Sequence, residues 1–366
     1  MSAANYTSTF PVPVLPNTPL REVINDSALG TISLRKNTQN NLIENISFDT
    51  AAITYDSDYQ NNQAISPAFT QHMTDVLEIL KATVGETATV VEVGCGKGDF
   101  LELVQEKSTF GITGYDAAYE GTNPNIHKRY LTHSDRISAD LVILRHVLEH
   151  IQEPHKFLHL LATIVGDTPI YIEVPDYEWI IRKQTFFDLT YEHVNYFGPE
   201  ALSNLFKTTS QSGPLFNGQY QYIIAHLQDL NYQECHAQYS QNDNWLPVHF
   251  DDLFPNFAAT LDEIETESAG QPIHIWGAAT KGVMFAHHIK RTRPALFNQF
   301  SHAIDVNPLK VGKYMPSSHL PIVDAASFVE KSNGNEFIII MNPNYETEIL
   351  FSLKALDYHA PQHLTI

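Results

Sequence analysis

The feature that most constrains the fold of this chain is a glycine-rich turn between a buried strand and a helix. A run of mostly β-branched residues, 89–93, predicts the strand. Three alternating glycines follow it, and the apolar spacing from Asp99 onward is helical: Gly94, Gly96 and Gly98. Glycine permits positive φ angles and close approach of a ligand to the main chain, and the helix start adds unpaired N–H groups. The segment therefore predicts a nucleotide-type binding turn.

The spacing of the acid and the glycines distinguishes between kinds of ligand. The order Glu92-x-Gly94-x-Gly96-x-Gly98 does not fit the G-x-G-x-x-G dinucleotide pattern, and no Lys-Ser/Thr pair follows as in a phosphate loop. It closely resembles the motif with which class I methyltransferases bind S-adenosylmethionine. The resemblance assigns Glu92, the three glycines and Cys95 to cofactor binding. The alternative is a tight glycine turn without a ligand.

Two later strands are expected to complete the cofactor site. Asp116 ends the segment 110–116, about 20 residues after the glycines, which is the offset of a βαβ unit. We expect its carboxylate to hold the ribose hydroxyls. Arg145 and His146 follow the apolar strand 139–144 and are expected within reach of the methionine part of the cofactor. The cofactor is thus predicted to be S-adenosylmethionine, with S-adenosylhomocysteine as product.

The same strand end contains the pattern His-x-x-Glu-His, formed by His146, Glu149 and His150. In inverted zinc proteases this pattern lies on a helix that presents both histidines to the metal. Here it follows a strand, and Leu-Glu-His before Ile is also common at this position in methyltransferases. We therefore predict no metal ion, with polar residues finishing a strand as the plainer interpretation of Glu149.

The order of elements predicts an α/β fold with two units. Strands and helices alternate from 66 to about 227, which indicates a mostly parallel, Rossmann-like sheet covered by helices. A second, smaller Rossmann-like unit is expected after the polar run 238–244. We predict an irregular N-terminal accessory segment, an S-adenosylmethionine-binding methyltransferase domain and a C-terminal substrate domain, spanning 1–65, 66–237 and 238–366.

Composition excludes several classes of protein. The 366 residues carry a formal charge of −20, which argues against a nucleic-acid partner. Two cysteines, Cys95 and Cys235, are too few for a disulfide framework or a zinc cage. There is no apolar run of 18 residues, and the N-terminus lacks the pattern of a secretory signal. We expect a cytoplasmic protein with a small-molecule substrate and no membrane partner; the oligomeric state stays open.

A second group of candidate catalytic residues lies at 186–197. There, Glu192 and His193 are adjacent and are bracketed by tyrosines and phenylalanines. Histidine needs little pKa tuning to act as a general base, provided that it lies within hydrogen-bond reach of the proton it takes. The alternative is a core histidine bonded to the backbone. In the C-terminal part, the turn 277–282 follows the strand 272–276; it either binds part of a substrate or simply turns tightly.

Taken together, these motifs resemble the sugar C-methyltransferase family, which acts on nucleotide-linked deoxysugars. The resemblance rests on four segments: 92–99, 191–197, 277–282 and 305–316. It implies that a keto sugar loses the proton beside its carbonyl and that the resulting carbanion takes the methyl group. The resemblance assigns catalysis to Tyr191, Glu192 and His193, the last as base. It assigns substrate binding to six further residues: Tyr59, Tyr196, Thr280, Lys281, Asp305 and Lys313.

The chain also departs from the family pattern. The family's N-terminal module binds zinc through cysteines, whereas no cysteine precedes Cys95 here, and Asn37 and Asn40 stand where a pair would fall. The family's tyrosine-histidine before Glu-His is Thr190-Tyr191 in this chain. Methyl transfer is therefore better supported than its acceptor. The alternatives are an O-methyltransferase with another natural-product or glycan acceptor, and a non-catalytic S-adenosylmethionine-binding protein.

Overall fold

The chain alternates strands and helices over most of its length. The computed structural model describes residues 8–23, 27–54, 58–231, 245–359 and 361–366. The strands are β1 (Phe10–Pro13), β2 (Leu29–Ile32), β3 (Leu34–Asn37), β4 (Ile43–Asn45), β5 (Thr89–Val93), β6 (Gly111–Tyr115), β7 (Ile126–His127), β8 (Leu141–Arg145), β9 (Pro169–Pro175), β10 (Asn195–Tyr196), β11 (Gln211–Leu215), β12 (Tyr220–His226), β13 (Trp245–Val248), β14 (Ile273–Trp276), β15 (Phe300–Ile304), β16 (Ile322–Val323), β17 (Phe337–Ile340) and β18 (Gln362–Thr365). The α-helices are α1 (Pro67–Val84), α2 (Asp99–Lys107), α3 (Pro154–Val165), α4 (Tyr177–Lys183), α5 (Pro199–Ser203), α6 (Phe250–Leu253), α7 (Phe257–Ser268), α8 (Thr280–Thr292), α9 (Pro294–Phe297), α10 (Ala325–Lys331) and α11 (Glu346–Ala355).

The central sheet has seven strands in the order β11-β12-β9-β8-β5-β6-β7. The strand that carries the glycine motif, β5, lies between β6 and β8 and is parallel to both. Strand β12 runs antiparallel to β9, and β11 runs antiparallel to β12. The apolar run of β8 is buried throughout, as expected for a strand covered on both faces. The predicted mostly parallel α/β core is confirmed, and the carboxyl ends of β5, β6, β8 and β9 meet at one edge.

The helices begin where local sequence signals place them. The Ser66 hydroxyl caps α1 by accepting the Phe69 N–H, and Pro67 occupies the first helical turn. The helix buries one apolar side, including Val76 and Leu80, against the sheet's core. It continues to Val84.

A second parallel sheet forms the C-terminal unit, with the order β16-β15-β14-β17-β18. Strand β14 lies in the middle, and both it and β17 are fully buried. The turn from β14 to α8 requires glycine at its end, since a Cβ at Gly282 would lie 1.8 Å from the Gly277 carbonyl oxygen. The predicted second Rossmann-like unit is therefore present.

The N-terminal part is more regular than expected. Four short strands, β1–β4, stand where we expected an irregular segment. β4 pairs with β10 and β3 with β13, so partners about 150 to 210 residues away in sequence satisfy their backbone groups. Short strands rich in Pro and Asn show little alternation of apolar and polar residues, so the sequence does not predict these strands. The side chains of Asn37 and Asn40 accept backbone N–H groups in the turn between β3 and β4.

The N-terminal strands and the C-terminal unit share one hydrophobic core. Phe10, Val12 and Ile32 pack in the same cluster as Phe186 and Phe285. The segment from 186 to 197 is thus held between the N-terminal strands and α8. Cys235 and the predicted boundary at 237 and 238 lie outside the described residues. Within the described part, no helix combines the length and apolarity that crossing a bilayer requires.

Candidate active site

The glycine turn leaves open space at one position and is tightly packed at two others. All three glycines have positive φ, with values of 76°, 55° and 88° for Gly94, Gly96 and Gly98. A Cβ on Gly94 would lie 2.4 Å from Val147, and one on Gly98 would lie 2.6 Å from Ile126. A Cβ on Gly96 would meet nothing within 4 Å. The turn therefore exposes bare main chain at Gly96, which suits close approach by a ligand.

Asp116 joins the end of β6 to this turn. Its Oδ2 accepts the Gly96 N–H at 2.8 Å, and its Oδ1 accepts the Ala118 N–H at 2.7 Å. The Asp116 carboxylate, which the sequence predicts to complete the cofactor site, thus lies beside the glycine turn. Cys95 is buried, and its sulfur lies against Gly114 of β6, where a Cβ would come within 2.8 Å of it. Its side chain therefore packs between the turn and β6.

Glu92 is a buried carboxylate at the carboxyl end of β5. Its side chain is only 3% exposed, and among the described residues Oε2 has no hydrogen-bond partner. Burial raises the pKa of Glu92 to about 7, although Arg145 opposes that effect. A buried carboxylate without a full set of partners costs free energy. Together with the open Gly96, this fits a site that receives a ligand with hydrogen-bond donors.

We expect replacement of Glu92 to change how stability depends on pH. Because the pKa is raised from 4.5 to about 7 on folding, the folded state holds a proton that the unfolded state has lost. Stability therefore falls as pH rises between these values. E92Q should show a smaller fall in Tm from pH 5 to pH 8 than the wild type when both are free of cofactor. E102Q, an exposed residue of α2, is the control, and an unchanged pH dependence in E92Q would contradict the assignment.

Glu173 is the centre of a buried ion network below the turn. It is fully buried on β9 and accepts hydrogen bonds from Arg145 Nε at 2.9 Å and from His72 Nε2 at 2.7 Å. The Tyr171 hydroxyl donates to it at 3.0 Å. Burial by itself would raise the pKa of Glu173, but Arg145 and His146 hold it well below its usual range. Glu173 is therefore ionised, and the Arg145 guanidinium is its main counter-charge.

His146 lies between two carboxylates. Its Nε2 is 3.1 Å from Glu173 Oε1, and its Nδ1 is 3.5 Å from Glu149 Oε1. Burial lowers the pKa of His146, but the two carboxylates outweigh it and raise the pKa to about 9. Its φ of 53° is unusual for a residue with a side chain. His146 is therefore cationic at neutral pH and is held at the end of β8 beside Arg145.

The structure brings Tyr59 into contact with Glu192, the neighbour of His193. The Tyr59 hydroxyl donates to Glu192 Oε1 at 2.7 Å. His193 lies edge-on to His150, with ring centroids 4.9 Å apart. His150 Nδ1 is 2.8 Å from the Glu192 carbonyl oxygen and donates to it. Burial lowers the pKa of His193 to about 3, so its imidazole is neutral at pH 7.

Two of the predicted tyrosines lie in the core. Tyr191 is 2% exposed, and its hydroxyl accepts the Asp49 N–H. Its ring fills the space above Gly30, where a Cβ would come within 2.4 Å. Tyr196 is also buried, and its hydroxyl donates to the Thr190 carbonyl at 2.9 Å. Tyr191 thus bonds to the N-terminal segment, and its catalytic role stays a prediction.

The predicted substrate residues of the C-terminal turn contact other parts of the chain. The Asn17 side chain donates to Thr280 Oγ1 at 2.7 Å and accepts the Thr280 N–H at 3.1 Å. Lys281 Nζ forms an ion pair with Asp188 at 2.6 Å and lies 5.2 Å from the Trp179 ring centroid. Thr280 and Lys281 therefore connect the C-terminal unit to the N-terminal segment and to the methyltransferase core.

Asp305 and Lys313 are likewise engaged within the protein. Asp305 Oδ2 accepts the Ala278 N–H at 2.8 Å, so this carboxylate satisfies the turn's own backbone. Lys313 Nζ lies 3.9 Å from Asp58 Oδ1, beside the Tyr59 that reaches Glu192. A phosphate that approached the turn would have to displace Asn17 or Asp305.

Sequence reasoning missed several residues of this region. His150 was visible in the His-x-x-Glu-His pattern but was not assigned a role. Glu173 ends a predicted parallel strand, a position where ligand-site residues gather, so its place in the sequence was an available signal. His72, Asn17 and Asp188 had no signal, because each contacts its partner over a long separation in sequence. Only folding brings these three to the site.

The described residues contain two groups of histidines and glutamates with metal-ligand chemistry. In each group, the candidate ligand atoms lie within 4.8 Å of one another: His72, His146 and Glu173 in one, and Glu149, His150 and His193 in the other. In the first group, the hydrogen bonds and ion pairs of Glu173 already account for the arrangement. The second group lies beside the Tyr59–Glu192 pair.

Comparison with family models decides the class of this protein. Residues 66–209, which hold the glycine turn and Asp116, match a methyltransferase domain. Residues 248–362 match a C-methyltransferase C-terminal domain. The chain is a class I S-adenosylmethionine-dependent methyltransferase. In this methyltransferase, the expected fold, enzyme class and cofactor are confirmed.

Solved structures of methyltransferases resemble only part of the chain. The 1,6-didemethyltoxoflavin N1-methyltransferase of Burkholderia thailandensis is 16% identical, with 44% of this chain and 80% of that chain covered and a TM-score of 0.33. The magnesium protoporphyrin IX methyltransferase of Synechocystis PCC 6803 is 17% identical, with 46% and 87% covered and a TM-score of 0.33. No curated protein matches the sequence. These similarities say nothing about the acceptor.

Proposed function

We propose that this methyltransferase transfers the methyl group to a carbon beside a carbonyl of a small keto acceptor. The substrate class that the resemblance implies is a nucleotide-linked keto-deoxysugar. The observation that carries the proposal is the position of His193, whose ring centroid lies 4.9 Å from that of His150, close to the carboxyl end of β8. The match of residues 248–362 to a C-methyltransferase C-terminal domain supports transfer to carbon.

The donor site in this proposal consists of the turn and the strand ends around it. Gly96 offers open main chain, Asp116 lies beside it to hold ribose hydroxyls, and Glu92 offers an unpartnered carboxylate oxygen to a donor group. When bound, S-adenosylmethionine supplies an electrophilic methyl group on a sulfonium. Arg145 and His146 keep the end of β8 rigid through Glu173, since both are ion-paired to it. Gly94 and Gly98 fix the turn by close packing.

The acceptor site in this proposal is the group around His193. A general base must be unprotonated when the substrate arrives and works best with a pKa near the working pH. Burial lowers the pKa of His193 to about 3, so its imidazole is neutral in the free protein but needs a nearby negative charge to gain basicity. In the part of the chain that is described, its ring nitrogens form no hydrogen bond, so they are available to a substrate. The Tyr59–Glu192 hydrogen bond borders the same group and offers polar atoms to sugar hydroxyls. Orientation of the two reactants can contribute ~7–11 kcal/mol to the rate acceleration.

Proton exchange followed by product analysis tests the proposal. The purified protein is incubated in D2O with a thymidine diphosphate-linked 4-keto-deoxysugar, first without and then with S-adenosylmethionine. We expect deuterium to enter at the carbon beside the carbonyl and, with the cofactor, a product whose new methyl signal is bonded to carbon by NMR. A methyl group on oxygen would instead indicate an O-methyltransferase. Neither exchange nor methylation with any keto acceptor would refute the proposal.

Asp116 provides a separate test of the donor site. D116A should weaken S-adenosylmethionine binding about 10–100-fold, since hydrogen bonds to charged groups contribute about 1.5–3 kcal/mol. The loss would combine ribose contacts with the bond that Asp116 makes to the Gly96 N–H. Calorimetric titration with S-adenosylmethionine and S-adenosylhomocysteine measures it, with D135A on the exposed loop 128–136 as the control. Wild-type affinity in D116A would show that Asp116 does not hold the cofactor.

A further inference from the structure

Glu149 is a buried carboxylate whose surroundings suggest a task in the reaction. It lies in the 3₁₀ turn Leu148–His150 that follows β8 and is 2% exposed. Among the described residues, neither of its carboxylate oxygens has a hydrogen-bond partner. A buried carboxylate in this state carries a desolvation cost that hydrogen bonds do not offset. Burial of the Glu149 carboxylate therefore indicates a positively charged partner close to it.

The groups that face Glu149 come from two parts of the chain. On its own segment, His146 Nδ1 is 3.5 Å from Oε1, a distance suited to an ion pair, and His150 is adjacent. From the loop before β10, His193 contributes a ring nitrogen, and the candidate atoms of Glu149, His150 and His193 all lie within 4.8 Å of one another. Lys281 of α8 adds a positive charge that acts on His193. Glu149 is therefore the carboxylate beside both imidazoles of the pair.

We propose that Glu149 is a positioning residue that stabilises the imidazolium formed when His193 takes the proton of the acceptor. This inference rests on the proposed function. In that step, the proton moves from the acceptor carbon to a ring nitrogen of His193, and the C–H electron pair remains on the acceptor as an enolate. A positive charge thus appears on a buried ring next to Glu149. Glu149 and His193 carry opposite charges only after proton transfer. The Glu149 carboxylate therefore stabilises the imidazolium state that follows the transfer.

The isosteric variant E149Q tests this by removing the charge while keeping the size. We expect deuterium exchange at the acceptor carbon and kcat to fall at least ~10-fold, because a general base contributes ~10²–10⁴-fold and loses strength without its counter-charge. An acceptor deuterated at that carbon should show a larger isotope effect on kcat in E149Q, since proton transfer becomes slower. S-adenosylmethionine affinity should stay within about twofold of wild type. E336Q, a buried carboxylate of the C-terminal unit, is the matched control and should keep wild-type exchange.

Other outcomes would overturn the inference. Wild-type exchange and an unchanged isotope effect in E149Q would show that Glu149 does not support the base. Loss of activity with EDTA and recovery with a divalent cation would mean that Glu149, His150 and His193 hold a metal instead. If E149Q does not fold, E149D carries the test: it keeps the charge, and exchange within about tenfold of wild type is expected. A loss in E149D as complete as in H193A would contradict the proposal. Absence of exchange in the wild type would refute the proposed function instead.

Discussion

Replacement of His193 by alanine should lower turnover at least ~10²-fold while S-adenosylmethionine binds with nearly unchanged affinity. A general base typically contributes ~10²–10⁴-fold, and alanine has no proton acceptor. The imidazole is neutral at pH 7 because burial lowers its pKa to about 3. It lies against His150 and Tyr196, and the glycine turn is formed by other residues, so the donor site should persist. Steady-state kinetics and calorimetric titration measure the two quantities separately.

The control for H193A is H226A. His226 ends β12 and is paired with Asp167 on the surface, so this variant tests for a general effect of losing a histidine. Added imidazole should partly restore turnover in H193A, since a small base can occupy the space of the missing ring. Activity in H193A within about twofold of wild type would show that another group takes the proton. His150, whose ring lies edge-on to that of His193, would then be the residue to replace next.

The second large effect is expected at Glu173. E173Q should lower the free energy of unfolding by about 3–5 kcal/mol, because it leaves Arg145 and His146 buried without their common counter-charge. The Gln side chain fills the same space and can accept hydrogen bonds but carries no charge. Urea denaturation followed by circular dichroism measures the change, and the shift should appear in the transition of the central sheet.

An exposed ion pair provides the comparison for E173Q. Glu153 and Lys156 form a surface pair at the start of α3, and E153Q should change stability by less than ~1 kcal/mol. The double variant R145M/E173Q should lose less than the sum of the two single losses, since it removes both members of the pair. Equal, small effects of E173Q and E153Q would show that the buried network does not support the sheet.

The confirmed predictions share a local origin. The glycine turn, its strand and its helix are set by the contiguous residues 89–107, and Asp116 follows at the fixed offset of a βαβ unit. The helix α1 begins at Pro67 after the capping residue Ser66, and both act within one turn. Backbone conformation and short-range hydrogen bonds determine these features, so the sequence alone predicts them.

The sequence did not reveal contacts between partners that are distant along the chain. Tyr191 is expected in the catalytic group because it precedes Glu192 and His193, and that role stays a prediction. The structure buries it against Gly30 and Asp49, whose positions no local pattern reveals. The strands β3 and β4 were missed for the same reason, since their hydrogen-bond partners lie in β10 and β13. Lys281 forms an ion pair with Asp188 from the other unit, a contact that the sequence does not indicate, and its role in substrate binding stays a prediction.

The sequence by itself determined the class of fold, the donor-binding turn and the chemistry available to the chain. These depend on periodicity and on motifs in which residues act on near neighbours. The tertiary structure alone decided which titratable groups share an environment: Glu173 with His72 and Arg145, and Glu149 with His150 and His193. Burial and charge pairing act through space, so the protonation states of these groups follow from packing between distant segments.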